Sequence, residues 1–259
     1  MGKRKVGVMI ESFRLGIKEG IRKAAEIGAD GFQIYVTSGE MEPSRMSQTA
    51  RRDFVHFAAN QGLGISALCG DYGYGFLDAA KNDELVAKSK ACADLAVDLG
   101  TNVVTTHIGT LPEDENDPKW QACYEAMSEL SEYGEAKGVY FATETGPEPA
   151  EHLLRFLASI QSTGIKVNYD PANLVMRDFD ALGGVKVLKE YIVHTHAKDG
   201  VRVDGEGKEV PLGEGDVNFP DYLALLDEIG YDGFLTIERE VGDDPVRDIV
   251  QAVEFLRSF

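Results

Sequence analysis

The stretch IVHTHAKD, from Ile192 to Asp199, reads as a β-strand that runs out into a histidine, a lysine and an acid. Three other strand-like runs also end on a metal-ligand side chain: YFATE at Glu144, KVNYD at Asp170 and FLTIE at Glu238. Side chains alternate faces along a strand, so Ala142, Asn168, His194 and Thr236 share a face with these terminal ligands, while Phe141, Val167, Val193 and Ile237 are predicted to point the other way. One face is small or polar and the other greasy, as inside a barrel near its mouth when helices cover the outside. Glu144, Asp170, His196 and Glu238 converging there form a mostly oxygen site suited to one divalent cation.

Along its length the chain repeats strand, polar loop, amphipathic helix, glycine, strand. Val6 to Ile10 and GFQIYV at 31–36 read as strands; between them Ile17, Ile21, Ala24 and Ile27 share one helix face before Gly28 ends it. A helix from about Ser44 to Asn60 carries Met46, Ala50, Phe54 and Phe57 inward, and ISALC at 65–69 is the third strand. A helix over Asp83 to Leu99 stops at Gly100, VVTTH at 103–107 is the fourth strand, and Asp117 with Pro118 opens a helix to Lys137. Pro149 opens the next helix; the one between Phe179 and Tyr191 is weakened by Gly183 and Gly184; Pro220 and the pair Asp244, Pro245 start the last two. Eight strands in alternation with eight helices imply a parallel sheet, and eight strands close a barrel, so the expected class is α/β, a single (β/α)8 barrel over residues 1–259. The competing open, doubly wound sheet would want a Gly-rich phosphate-binding fingerprint after the first strand, where the chain reads ESFRLG.

Composition narrows the function classes. Lys and Arg number 26 against 44 Asp and Glu, a formal charge of −18, which repels phosphate backbones and argues against a nucleic-acid partner. Cys69, Cys92 and Cys123 are odd in number and unpatterned, so they are expected as buried thiols of a reducing, cytoplasmic compartment. The basic start MGKRKVGVMIES turns straight into a strand and no apolar run approaches the length of a membrane span, so neither a signal peptide nor a membrane partner is expected.

The ordered set Glu144, Asp170, His196 and Glu238, with HAKD at 196–199 and GEG at 213–215, resembles the sugar isomerase and epimerase group of xylose-isomerase-like TIM barrels, which also holds endonuclease IV. The resemblance covers essentially the whole length. It implies a TIM barrel with the four residues as a single metal site, Glu144 and Glu238 serving also as acid and base, and a small carbohydrate as substrate. It implies Arg202, six residues past His196, as a substrate-holding residue. Asn173, three residues after Asp170, stands where the family usually has a substrate- or metal-binding histidine, so the substrate does not carry over from the ketose 3-epimerase branch. The expected ion is Mn²⁺, with Mg²⁺, Co²⁺ or Zn²⁺ as substitutes. Members of this group often pair or form tetramers, so a homo-oligomer is expected, and Tyr72, Tyr74 and Phe76 read as exposed loop aromatics available to cover a neighbour's pocket or the chain's own.

A cation bound to a carbonyl and its neighbouring hydroxyl stabilises the enediolate left when a proton is removed. Return of the proton to the opposite face is epimerisation, return to the next carbon is aldose–ketose isomerisation, and loss of a β-hydroxyl is dehydration, as on an inosose. Further substrate-binding candidates are His107, which either touches substrate or is a rim histidine with its own hydrogen bond, Asn173, and Lys198, which continues the inward parity. His194 lies one layer deeper and is expected to be packed or to support ligands, Asp199 to orient neighbours such as Arg202, and His56 and His152 to be surface residues. Glu11 and Glu214 are either pocket-lining or loop charges. With no Gly-Lys-Ser/Thr run and no basic cluster near the strand ends, a neutral sugar, keto-sugar or cyclitol ranks ahead of a sugar phosphate. An endonuclease-like phosphodiesterase lacks its histidines in VDGEGKEVPLGEG, and a non-catalytic sugar-binding barrel would not need both glutamates.

Overall fold

The computed structural model describes residues 4–259. Its strands are β1 (Lys5–Met9), β2 (Gly31–Tyr35), β3 (Gly64–Cys69), β4 (Val103–Thr106), β5 (Tyr140–Glu144), β6 (Ile165–Tyr169), β7 (Ile192–Ala197), β8 (Asp199–Val203), β9 (Glu206–Val210) and β10 (Phe234–Ile237). All but β8 and β9 close into a parallel barrel in the order β1-β10-β7-β6-β5-β4-β3-β2. Its helices are α1 (Ile17–Glu26), α2 (Gln48–Asn60), α3 (Ala79–Leu99), α4 (Pro118–Lys137), α5 (Ala150–Ser159), α6 (Pro171–Val175), α7 (Ala181–Leu188), α8 (Phe219–Glu228) and α9 (Pro245–Arg257).

Local chemistry sets the helix starts. Ser47, not Ser44, caps α2 by accepting from the Ala50 N–H, and Asp78 caps α3, which begins at Ala79, four residues before the expected start at Asp83. In α6, Asp170 accepts from the Asn173 N–H with Pro171 in the first turn. That short helix and the antiparallel hairpin β8–β9 were absent from the strand–helix alternation expected of the sequence, because neither repeats the apolar spacing of the barrel units.

Phe141, Val167 and Ile237 face the helices and are fully or almost fully buried, each large apolar side chain contributing about 1.5–3 kcal/mol by leaving water. Inside the barrel the residues are polar or small: Gln33, Thr105, Asn168, His194 and Thr236 pair with one another, over a floor of Ala67, Val103 and Ala142. Val193 departs from the expected outward face. The β6–β7 register slips between Val167 and Asn168, so Ile192 and His194 oppose consecutive residues, and Val193, the extra residue, packs against the interior floor. The slip still leaves His194 and His196 facing inward. Phe76 is buried and Tyr72 half-buried, leaving Tyr74 as the exposed aromatic of its loop, and all three cysteines are buried free thiols. Among the described residues no helix is long and apolar enough to cross a membrane.

Candidate metal centre and active site

The strand-end ligands meet at the C-terminal mouth of the barrel. Glu144 ends β5, Asp170 and Glu238 lie one residue past β6 and β10, and His196 sits near the end of β7. One ligand atom from each lies within 4.8 Å of the others. The His196 Nδ1 is 3.3 Å from Glu238 Oε2, 3.5 Å from Glu144 Oε2 and 3.7 Å from Asp170 Oδ2. The donor set fits a hard or borderline cation, and the hydrogen bonding around it leaves the needed lone pairs free. Asp170 uses Oδ1 to cap α6, while its buried Oδ2 has no hydrogen-bond partner. Glu144 Oε1 accepts from Asn173 Nδ2 at 2.7 Å, which leaves Oε2 turned to the cluster. Burial by itself would make Glu144 and Glu238 harder to ionise, but the His196 charge, joined at Glu238 by Lys198, holds both below the usual carboxylate range. At Asp170 burial wins and the carboxyl is pushed up.

A cavity of about 220 Å³ opens over this cluster, lined among others by Tyr35, His107, Asn173, Arg177, Lys198 and Glu240. His107, Asn173 and Lys198 therefore lie where the sequence suggested. His107 bonds Asp71 through Nδ1 at 3.0 Å and places Nε2 3.6 Å from Glu144 Oε2. Burial would lower its basicity, but Asp71 and Glu144 outweigh that and push it up to about 9, so it presents an N–H to the cavity at neutral pH. Lys198 is buried, 2.9 Å from Glu238 Oε2 and also paired with Glu240, and these acids overcome burial to keep it charged. Asn173 differs in role from a plain substrate contact: its Nδ2 donates to Glu144 and to the Thr145 carbonyl, which leaves its amide oxygen for a substrate. Gly146 permits this approach, since a Cβ there would sit 2.8 Å from Asn173 Cβ and its φ of +150° disfavours other residues.

Arg202 lies away from the cavity. It lies on the exposed hairpin strand β8, donates to the Met176 carbonyl at 2.9 Å and is not among the cavity-lining residues, because the chain leaves the barrel axis at Asp199. Arg177, which sequence reasoning missed, lines the cavity instead; it follows α6, and a recognised Asp-Pro helix start at 170–171 would have carried the chain to it. Asp199 orients neighbours other than Arg202. Its carboxylate accepts from the backbone N–H groups of Gly200, Gly213, Gly215 and Val217 and so pins the GEG turn, whose Glu214 is exposed. Glu11 accepts from the Tyr35 N–H outside the cavity. His56 is exposed as expected, but His152 is buried against Trp120 at a ring separation of 5.9 Å.

Near Arg177, Glu148 is 6% exposed with its Oε2 unpartnered, and burial raises its carboxyl to about 7. A carboxyl raised above its unfolded value of 4.5 favours the fold while protonated and withdraws that support as pH climbs through 7. Glu148→Gln is therefore expected to raise thermal stability at pH 8 by up to about 3 kcal/mol and far less at pH 5. Equal shifts at both pH values in thermal unfolding would contradict the burial assignment.

A family model described as "Xylose isomerase-like TIM barrel" matches residues 21–259. The chain is 23% identical over 253 residues to an L-ribulose-5-phosphate 3-epimerase, UlaE, of Shigella flexneri, covering 93% of this chain and 88% of that one. It is 28% identical over 183 residues to the uncharacterized protein MJ1311 of Methanocaldococcus jannaschii, a match covering 63% of this chain and only 58% of that protein. An inosose dehydratase of Clostridium perfringens is 25% identical over 150 residues, 48% of each chain. In fold, the chain superposes on a xylose isomerase domain protein from Planctomyces limnophilus with a TM-score of 0.84 at 24% identity, covering 99% of this chain and 95% of that one. With the closed barrel and its strand-end carboxylates, the match over most of the length settles the family: this chain belongs to the xylose isomerase-like TIM barrels.

Proposed function

We propose that the protein is a divalent-metal-dependent sugar isomerase or epimerase in which Glu144 and Glu238 both hold the ion and move the proton. The observation that carries this reading is that Glu144, at the end of β5, and Glu238, just past β10, line one small cavity and cluster there with Asp170 and His196. The ion, Mn²⁺ before Mg²⁺, Co²⁺ or Zn²⁺ for this donor set, supplies positive charge that makes a hydrogen next to a carbonyl more acidic. The protein residues do the rest. Glu238, whose Oε1 has no hydrogen bond among the described residues, accepts that hydrogen as a proton, and Glu144, supplied with a proton by His107, whose Nε2 lies 3.6 Å from its Oε2, returns one from its own side. Protonated His107 and charged Lys198 donate to substrate oxygens, steadying the enediolate.

Unequal anchoring of the two glutamates favours a second reading, dehydration of a keto-sugar or inosose. Glu144 is held through both oxygens by Asn173 and Asn168, whereas Glu238 is held through one, an asymmetry suited to abstraction by one base and departure of a hydroxyl aided by a nearby donor. Incubating the Mn²⁺-loaded enzyme with ketoses, ketose phosphates, 3-keto-sugars and inososes in deuterium oxide tests both. Deuterium at a retained carbon–hydrogen position with inversion or carbonyl migration supports the first reading, loss of water supports the second, and neither exchange nor loss of water in any substrate defeats both.

Arg177 makes no ion pair among the described residues and is the exposed cation of the cavity lip. If the substrate carries a phosphate or carboxylate, Arg177→Gln is expected to raise its KM about 10–100-fold with kcat little changed, the scale of one charge-assisted hydrogen bond. Arg202→Ala is expected to leave both constants unchanged. The reverse ranking in steady-state kinetics would restore Arg202 to the pocket.

A further inference from the structure

We propose that Gln33, in the wall of the barrel on β2, is a positioning residue that decides which nitrogen of His196 faces the ligand cluster. The inference rests on the metal-centre reading above and concerns a residue that does not touch the ion. Gln33 is completely buried. Its Nε2 donates to Thr105 Oγ1 at 2.8 Å, and the Thr105 hydroxyl in turn points to the Leu68 carbonyl at 3.5 Å. With its amide nitrogen engaged there, Gln33 presents Oε1 to His196 Nε2 at 3.1 Å. An amide oxygen accepts and never donates, so this contact is favourable only when Nε2 carries a hydrogen. Nδ1 is then free to offer a lone pair to the space between Glu144, Asp170 and Glu238.

The reverse arrangement is chemically distinct. Asn168 Nδ2 lies 3.2 Å from the same Nε2, and a proton donated from it would make Nε2 an acceptor and force the ring hydrogen onto Nδ1. Two contacts oppose this. The Asn168 amide is oriented by His194, whose Nδ1 lies 2.9 Å from Asn168 Oδ1, and its Nδ2 is 3.2 Å from the charged acceptor Glu144 Oε2, the stronger claim on its hydrogen. An Nε2 lone pair would also face the Gln33 oxygen lone pair. Gln33 thus holds the ligating tautomer through the far side of the ring, and because its oxygen accepts the Nε2 hydrogen it makes Nδ1 a better donor.

Binding of Zn²⁺ and Mn²⁺ by calorimetry to the wild type, Gln33→Leu and Gln33→Glu tests the proposal without any sugar. Gln33→Leu removes the acceptor at similar volume and is expected to weaken both ions about 10–100-fold; Gln33→Glu restores an acceptor and is expected to bind within a few-fold of wild type or tighter. A wild type that binds neither ion defeats the metal-centre reading itself. Wild-type affinity in Gln33→Leu, or equal loss in both variants, overturns the role of Gln33. Should Gln33→Leu fail to fold, nitrogen-15 NMR of histidine-labelled, Zn²⁺-loaded wild type decides alone. A hydrogen on Nε2 of His196 is the expected result, and a hydrogen on Nδ1 refutes the assignment.

Discussion

Glu238→Gln is expected to lower kcat/KM by about 10³-fold or more while leaving the barrel folded. Positioned proton transfer is worth about 10²–10⁴-fold, and an amide in place of this carboxylate keeps the shape but cannot accept a proton. The variant also loses the charge that Lys198 and His196 face at 2.9 Å and 3.3 Å, so weaker ion binding is expected as well and must be separated from the chemistry. Assaying at saturating Mn²⁺, with occupancy measured directly, makes that separation. Glu144→Gln is expected to lose ion affinity as well as a comparable amount of turnover, because its amide nitrogen would face either Asn173 Nδ2 or Asn168 Nδ2, both of which donate to the carboxylate oxygens. Near-wild-type turnover in either fully loaded variant would remove that residue from the proton path.

What made these residues legible in the sequence was periodicity. A ligand at the end of a two-residue alternation carries its own direction, and Glu144, Asp170, His196 and Glu238 all came together at one mouth. The eight barrel strands followed from the same signal. Features that break periodicity were not legible: the slip that brings Val193 inward, the short α6, and the hairpin that carries Arg202 away while Arg177 takes a place at the lip. Gln33 was invisible for another reason. A lone glutamine in GFQIYV has no spacing to mark it, and its importance exists only through contact with His196 and Thr105, far away in the chain. His152 shows the same limit from the other side, since a histidine on an amphipathic helix can pack on Trp120 as readily as face water.

Removing the ion is expected to abolish turnover and to lower the melting temperature without dissolving the barrel. The fold rests on the apolar layer between strands and helices, which the ion does not touch, so far-ultraviolet circular dichroism should persist after chelation. The centre itself changes character. Without an ion, burial disfavours the His196 imidazolium, but Glu238 and Glu144 outweigh burial and raise it well above its ordinary value, so the ring fills the charge vacancy. Lys198 leans in from the side to within 3.9 Å of Asp170. Binding a cation must then displace a proton, which makes affinity fall as pH falls. Calorimetric titrations of Mn²⁺ in two buffers of different ionisation enthalpy should therefore report proton release near one per ion at neutral pH. At about 100 times Kd the ion should stabilise the fold by about 2.7 kcal/mol, a rise in melting temperature of roughly 5–10 °C for a chain of this length. Full turnover by protein stripped to a few per cent occupancy would take the cation out of the reaction, and binding with no proton release would show that His196 is not protonated before the ion binds.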